Sequence, residues 1–506
     1  MKQSLIFAAL LCFTFACKKE NKTTITNPKN VLSTENIDRQ LYAGIQEQGV
    51  YNWSTATDEL LWSAAMQSDS IFAIGYQLPT STNLEENMHL IDIESSEWIS
   101  VRNEILNDIL LEEQKIDPTK TIEDLLPFGY PEVVPSMAVY LSSFEAVQKL
   151  RNLSVIRYFE PMGYELTPLN DYSNDRSDAG CGVSPDYGID GDDYTDLSPG
   201  AKQSWHQTTS NVTEAWSSTT GDNVTIAIID TGISDDQDNL GSNFNSGYSS
   251  GRTVERISTY YTGRWWWRAL QAPHDLCGHG TEMAGLAAAP RSNDGNAVGI
   301  AYNCDLLAFR AVSDVFISSS NEKNGVKNAL IIAGGRSDVK VISMSLGMPF
   351  YNGTVADGIY YASGHGKSIF AAAGTSFAWA VGFGVIFPAS MSQTIAVTGV
   401  KDASPVACDV CHDGSAVDFT MIMERTADPD RHGLSLATYS DQPTYVGGSS
   451  CATASVAGIA TLVYANHPGI SKEEVYTILK QNASNYPIKD GDLGWGTINA
   501  QDAVND

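Results

Sequence analysis

Positive charge is scarce in this chain: 31 Lys and Arg stand against 60 Asp and Glu, a formal net charge of −29. A field of that sign repels polyphosphate, which argues against nucleic acid and anionic lipid surfaces as partners. Much of the charge reads simply as solvated surface. Long apolar runs are also lacking. Beyond Ala16 nothing approaches the ~20 apolar residues that a bilayer-crossing helix requires, so no later segment is expected to span a membrane. The stretch from Thr34 to Glu165 carries none of the catalytic patterns found further on.

The apolar run that does exist is at the start. Met1-Lys2 and then Leu5 to Ala16 form a signal-peptide pattern that ends at Cys17. Thr14-Phe15-Ala16-Cys17 resembles a bacterial lipoprotein processing site, although Thr14 and Phe15 depart from the usual leucine-then-small pattern. Lipidation at Cys17 is the expectation, because Lys18 to Asn30 is polar and tether-like; ordinary secretion, with Cys12 and Cys17 both discarded, is the alternative. At 506 residues the chain exceeds what one core usually serves.

The chemistry concentrates in Gly447-Gly448-Ser449-Ser450-Cys451-Ala452-Thr453-Ala454-Ser455, which runs into an apolar helical pattern ending near His467. Paired glycines permit a tight turn, and Ser450 then falls at a helix N-terminus, where unpaired N–H groups and the helix dipole favour developing negative charge. A serine hydroxyl becomes a nucleophile only with a base and an orienting acid. Both are present upstream. Val224 to Ile229 reads as a buried strand ending on Asp230-Thr231-Gly232, and Gly278-His279-Gly280-Thr281 sets a histidine between glycines at a helix start. Asp, His and Ser in that chain order, with these three motifs, resemble the subtilisin family of serine proteases.

The resemblance implies an α/β fold: a three-layer, subtilisin-like catalytic domain with a parallel sheet, preceded by a small α+β, ferredoxin-like propeptide. It implies an Asp230–His279–Ser450 triad cutting polypeptides through an acyl-enzyme, with no cofactor required for the chemistry. Ser345, Leu346 and Gly347 would pair with substrate backbone and wall its pocket, Ala372 and Gly374 would line the cleft, and Ile386 would stand at the pocket floor. Two departures follow. The family ends one strand Ala-Ala-Gly-Asn and uses the asparagine amide at the oxyanion; here the matching residue is Thr375, leaving the Ser450 N–H with Thr375 as helper. Ile386 replaces a glycine and should shorten the pocket. Ala454 and Ser455, where proline and histidine are common, read as neutral.

The implied organisation is residues 1–17 signal, 18–33 tether, 34–166 propeptide, 167–204 acidic processing region and 205–506 peptidase domain. From Ile71 to Phe159 the pattern alternates strand, helix, strand, helix, strand, with Ser54 or Thr55 capping an earlier helix. Its functional reading is a propeptide that aids folding and fills the cleft; an unrelated N-terminal domain is the other. Asp190, Asp192, Asp193 and Asp196 suggest an exposed, cuttable linker. Structural calcium there is an open reading, though the spacing is not that of an EF-hand.

Of eight cysteines, Cys12 and Cys17 lie in the leader, leaving Cys181, Cys277, Cys304, Cys408, Cys411 and Cys451. Cys277–Cys304 is the expected brace of the histidine loop. Cys408-Asp409-Val410-Cys411-His412 has the form of a c-type haem attachment site, but nothing nearby suggests a haem pocket, and a local disulfide or a pair of loop thiols explains it as well. Cys451 reads as a packed, oxidation-sensitive free thiol. Trp265-Trp266-Trp267 cannot all face one core, so at least one is expected to be exposed, either as a lip on the cleft or beside a cluster of their own. Ser471 and Glu474 form a capping box.

The sequence therefore implies an exported, autoprocessed serine endopeptidase with its own propeptide and polypeptide substrates as partners. It would be lipid-anchored in the bacterial envelope, at the outer membrane or surface, or secreted. The alternative is a catalytically retired protease fold serving as an envelope binding lipoprotein; a haem-bearing redox lipoprotein is a third reading. Ile386 predicts that a peptide library is cut mainly after small residues, and cutting chiefly after Phe, Tyr or Leu would refute that.

Overall fold

The structure is a computed structural model that describes residues 31–167, 180–264, 267–375 and 384–506. Cys17, Trp265 and Trp266 lie outside the described residues. Val31–Asp506 forms one compact unit.

Its N-terminal portion contains helices α1 (Thr34–Gln48) and α2 (Asp58–Met66), then β1 (Ile71–Tyr76), α3 (Ser96–Glu113), β2 (Ser136–Tyr140), α4 (Phe144–Arg151) and β3 (Ile156–Pro161). β1 is buried throughout because it lies between β2 and β3 in an antiparallel sheet. Phe72 of β1 stacks on Phe159 of β3 and on Trp62 of α2, which seats the helices on one sheet face. A full ferredoxin-like arrangement would have four strands. Here there are three, because the stretch between α3 and β2 that would supply the fourth carries Pro118, Pro127, Pro131 and Pro135, which cannot donate to a ladder. Thr57, rather than Ser54 or Thr55, caps α2, accepting from Leu60 N at 3.1 Å.

The rest of the chain builds β4 (Tyr194–Leu197), β5 (Ala201–Ser204), short helices α5 (Trp205–Thr209) and α6 (Val212–Ala215), β6 (Thr225–Asp230), β7 (Val254–Ser258), β8 (Tyr261–Thr262), β9 (Ala269–Leu270), α7 (His279–Ala288) and β10 (Asp305–Arg310). There follow α8 (Ser320–Gly335), β11 (Val339–Met344), α9 (Gly353–Gly364), β12 (Ser368–Ala372), β13 (Ile395–Lys401), β14 (Phe419–Arg425), β15 (Asp428–Leu436), β16 (Pro443–Val446), α10 (Gly448–Asn466), α11 (Lys472–Gln481) and α12 (Ala500–Asn505).

Nine strands form one sheet in the order β16-β15-β14-β13-β12-β11-β6-β10-β7. Every pair from β14 to β7 is parallel, and β15 and β16 join antiparallel. Parallel strands are covered on both faces and read as continuous apolar runs, which is why Ile226 to Ile229 shows no alternation. α10 and α7 cover one face, α8 and α9 the other. α10 is, among the described residues, the one helix long and apolar enough to cross a bilayer, and 89% of its apolar window is buried inside the protein; it is a core helix. Ser471 forms the expected capping box with Glu474 at α11.

From β6 the sheet continues through β10 to β7 at one edge, and from β11 it continues in chain order to β14 on the other side, so the reversal falls between β6 and β11. In open α/β sheets the crevice outside the carboxyl ends of the strands at such a reversal is where ligands bind. Asp230 ends β6 at that crevice.

The N-terminal sheet rests on α8 and α9. Glu160 accepts from Gly353 N at the start of α9, where the helix dipole favours a carboxylate. Ser320 Oγ in the first turn of α8 donates to Asp69 at 2.5 Å, and Lys323 Nζ donates to the Met162 carbonyl at 2.6 Å. Arg157 grips Asp357 with two bonds of 3.0 and 2.7 Å, and Tyr158 OH adds a third at 2.9 Å. One apolar cluster is continuous across this junction, from Phe72 and Ile74 to Leu330 and Ile359. The β8–β9 hairpin leans the same way, with the Arg268 guanidinium 4.3 Å from the Phe128 ring, while Trp267 stays 60% exposed.

Candidate active site

His279 is the first residue of α7, and its Nδ1 lies 2.8 Å from Asp230 Oδ1 at the end of β6. Both side chains are nearly fully buried, at 4% and 1% exposure, so the pair interacts with little solvent screening. Asp230 Oδ1 also accepts from Thr231 N at 2.8 Å. Burial works against a charged imidazole, but the charge and hydrogen bond of Asp230, with Asp275 and Asp314 adding, outweigh it and hold the His279 pKa above its ordinary value.

Asp275 is a functional residue that sequence reasoning missed. Only 3% exposed, it accepts from Thr231 Oγ1, Cys277 N and Gly278 N on one oxygen and from Thr281 N and Thr281 Oγ1 on the other, at 2.7–2.9 Å. Thr231 Oγ1 in turn accepts from Gly280 N at 2.9 Å. The loop bearing His279 is thus folded around one carboxylate and tied to the end of β6. The available signal was an aspartate four residues before the histidine and just ahead of a Gly-bounded turn.

Ser450 lies in the first turn of α10, where backbone N–H groups lack intrahelical partners. Gly448, at φ +81°, permits the turn; a Cβ there would stand 3.1 Å from Thr375 Oγ1. A cavity of about 310 Å³ is lined by His279 and Ser450 together with Ser345, Leu346, Gly347, Ala372, Gly374, Thr375 and Ile386. The strand-end residues read from the sequence are thereby gathered around one space. Ile386 presses onto Gly347, where a Cβ would meet its Cδ1 at 2.4 Å, so the branched side chain does occupy that wall. Ser450 and His279 border the same cavity without a hydrogen bond between them; such contacts commonly tighten only with substrate.

The Thr375 hydroxyl is paired with that of Ser449. Ser449 Oγ accepts from Gly374 N at 3.2 Å and lies 3.0 Å from Thr375 Oγ1. Ser449 is 1% exposed, and among the described residues its proton has no acceptor but Thr375, whereas Thr375 borders the cavity. A buried O–H left unpaired costs about 1–3 kcal/mol. Donation by Ser449 meets that need and frees the Thr375 proton for the cavity.

The subtilase family model matches residues 221–496, which is more than half of the chain. The chain belongs to the subtilase family. Among its relatives are the halolysin-like extracellular serine protease Nep of Natrialba magadii, 26% identical over 58% of this chain and 50% of the relative, and a thermophilic serine proteinase of Bacillus sp. strain AK1, 29% identical over 57% and 64%. Thermitase of Thermoactinomyces vulgaris is 29% identical over 58% of this chain and 92% of its own length. The chain thus spans only about half to two-thirds of the first two of these proteins. A solved protease of Pseudoalteromonas arctica overlays with a TM-score of 0.47 at 23% identity, covering 58% of this chain and 93% of its own.

The disulfide framework of this subtilase differs from the one expected. Cys277 is bonded to Cys181, not Cys304, which is free and buried. Cys304 immediately precedes β10 and so lies at the amino end of the sheet, whereas Cys277 lies with His279 at the carboxyl end; a six-residue strand of about 20 Å separates those ends, far beyond disulfide reach. The bridge brings Gly180, Cys181 and Gly182 into the cavity wall, where a Cβ on Gly180 would lie 3.4 Å from the His279 ring. Cys408 pairs with Cys411, as a local disulfide would. Cys451 is 2% exposed, and burial, with Glu282 and Asp230 adding, pushes its thiol well up, which disfavours the reactive thiolate.

The acidic stretch is docked rather than loose from Gly180 onward. Asp193 is buried and held by Arg425, Arg431 and the Tyr445 hydroxyl, and Asp186 accepts from Tyr445 N at 2.8 Å. Asp190 pairs with Arg431 at 3.3 Å. Asp190 and Asp193 are thus engaged by guanidinium groups, and among the described residues no group of three or more His, Cys, Asp or Glu is arranged to hold a metal.

Replacing Asp275 by Asn removes acceptors from the histidine loop and a negative charge from the surroundings of His279. The variant should lose about 10–100-fold in kcat through misplacement of the imidazole. The acid limb of its kcat/KM profile, which reports the neutral imidazole, should move to lower pH. A pH–rate titration of the variant against the parent checks both.

Proposed function

We propose that this chain is a serine endopeptidase. The observation that supports it most is the buried Asp230–His279 hydrogen bond at the rim of a cavity that also holds Ser450 at the start of α10. Ser450 Oγ attacks the scissile carbonyl while His279 Nε2 takes its proton; Asp230 keeps Nδ1 protonated and stabilises the imidazolium. The negative charge that develops on the carbonyl oxygen is met by the Ser450 N–H and by the Thr375 O–H, which Ser449 directs. His279 then protonates the leaving amine, and water releases the acyl group by the same path in reverse. Serine protease names among the relatives support this reading.

The segment 34–166 is read as the propeptide, supported by its seat on α8 and α9 and by the apolar cluster it shares with them. Maturation by self-cleavage is placed between Glu165 and Ser204. Export and a lipid anchor at Cys17 rest on the leader sequence alone.

A fluorophosphonate probe should label the purified protein but not Ser450→Ala, and mass analysis should find a new N-terminus between Glu165 and Ser204. Absence of labelling in a folded, propeptide-free chain would shift the reading to a binding protein. Thr375→Val, which keeps shape but not the proton, should slow acylation by up to about 10²–10³-fold, the usual effect of losing an oxyanion donor. Unchanged single-turnover rates would remove Thr375 from that role.

A further inference from the structure

The Cys408-Asp409-Val410-Cys411-His412 segment has no part in the scheme above, yet it is bound to the strand end that carries Thr375. Thr375 and Cys411 form an antiparallel bridge, and His412 N donates to the Gly374 carbonyl at 2.9 Å. Cys408 N donates to the carbonyl of Gly399 in β13 at 3.0 Å, and Thr398 Oγ1 donates to the His412 carbonyl at 2.5 Å. Gly399 is in turn wedged between the bridge and the serine turn: a Cβ on it would meet Cys411 Sγ at 2.8 Å and the Gly448 carbonyl at 3.3 Å.

His412 extends the same hold. Its ring lies on Gly374, where a Cβ would stand 2.4 Å from Nδ1, and Nδ1 is 3.0 Å from the Gly384 carbonyl. A carbonyl only accepts, so Nδ1 carries the proton. Nε2 is buried and, among the described residues, has no partner. A neutral ring leaves Nε2 as an acceptor, and burial, the main influence on this group, lowers the His412 pKa in the same sense. His412 thereby holds the backbone at both Gly374 and Gly384.

We propose that the Cys408–Cys411 disulfide and His412 form a positioning clip for the Gly374–Thr375 strand end, and that thiol–disulfide exchange at this bridge sets the rate of acylation. The inference rests on the peptidase reading for its rate effect but not for the clip itself. Asp409 and Val410 are exposed and Cys411 is half-buried, so a thiol in solution has an approach. The reductant class is a dithiol. One of its thiolates attacks Cys411 Sγ, the S–S bond breaks, and Cys408 leaves as a thiolate. The second thiol then displaces Cys411, and the dithiol departs as a cyclic disulfide, having supplied two electrons and two protons. His412 is a positioning residue, since it meets the reacting atoms only through Gly374 and Thr375.

The test compares three forms of the full-length protein: parent, Cys408→Ser/Cys411→Ser, and Cys181→Ser/Cys277→Ser, each with and without dithiothreitol. Peptide hydrolysis gives kcat and KM, and hydrogen exchange is followed over residues 369–375 and 408–412. Opening the 408–411 bridge should lower kcat about tenfold, less than the about 10²–10³-fold of losing an oxyanion donor outright, leave KM within about twofold, and speed exchange in both peptides. Dithiothreitol should do the same to the parent, reversibly on reoxidation, and to Cys181→Ser/Cys277→Ser, but add nothing to Cys408→Ser/Cys411→Ser. Unchanged exchange on opening would overturn the clip whatever the rate does, and faster exchange with unchanged kcat would overturn the rate control. Should the double serine variant not fold, the reversible dithiothreitol response of Cys181→Ser/Cys277→Ser decides alone. Faster exchange in a parent that never turns over peptide would leave the clip standing and remove the peptidase reading instead.

Discussion

Two carboxylates, Asp230 and Asp275, are buried at the same end of the central sheet, and much of the site follows from the need to supply them with donors. An unpaired buried charge costs several kcal/mol, so a loop that brings N–H and O–H groups to it is held firmly. Besides Thr231, which follows directly on β6, those donors all come from residues 277–281. The histidine loop cannot drift from the end of β6 without stranding both acids. The position of His279 is therefore a result of satisfying buried oxygens, and the imidazole is itself one of the groups that does so.

The opposite wall is organised through weaker, neutral contacts. The end of β12, the turn before α10 and the 408–412 segment meet around Gly374, Gly399 and Gly448; a side chain would collide at the first two and press on Thr375 at the third. Such packing transmits small displacements instead of absorbing them. A threonine hydroxyl is shorter than an asparagine amide, so its donor depends more on how accurately the backbone is placed. The substitution at Thr375 and the unusual bracing behind it are consistent with one another on that ground.

What the sequence made legible was local. Asp230, His279 and Ser450 each sit in a short motif whose backbone demands are visible in the neighbouring residues, and the strand–helix alternation of both portions could be read from periodicity. The three-layer sheet followed from those alternations and the family resemblance. What could not be read depends on contacts far apart in the chain. Cysteine spacing does not encode partners, so the mate of Cys277 lay hidden 96 residues upstream. The Asp190–Asp193 cluster looked like a solvated linker because its arginines, Arg425 and Arg431, are more than two hundred residues away. Asp275 was passed over because its five donors come from groups that every loop possesses; only their convergence is special.

The Cys181–Cys277 bridge gives the covalent topology of the chain a say in what a single scission achieves. A cut upstream of Cys181 severs the N-terminal portion completely, and it can diffuse away. A cut between Cys181 and Ser204 does not, because the severed piece remains joined through sulfur to the loop that carries His279. Such a leashed fragment would stay at high effective concentration beside its seat on α8 and α9, rebinding faster than it could be lost. Under oxidising conditions the two cuts, a few residues apart, would therefore produce a freed protein in one case and a self-occupied one in the other.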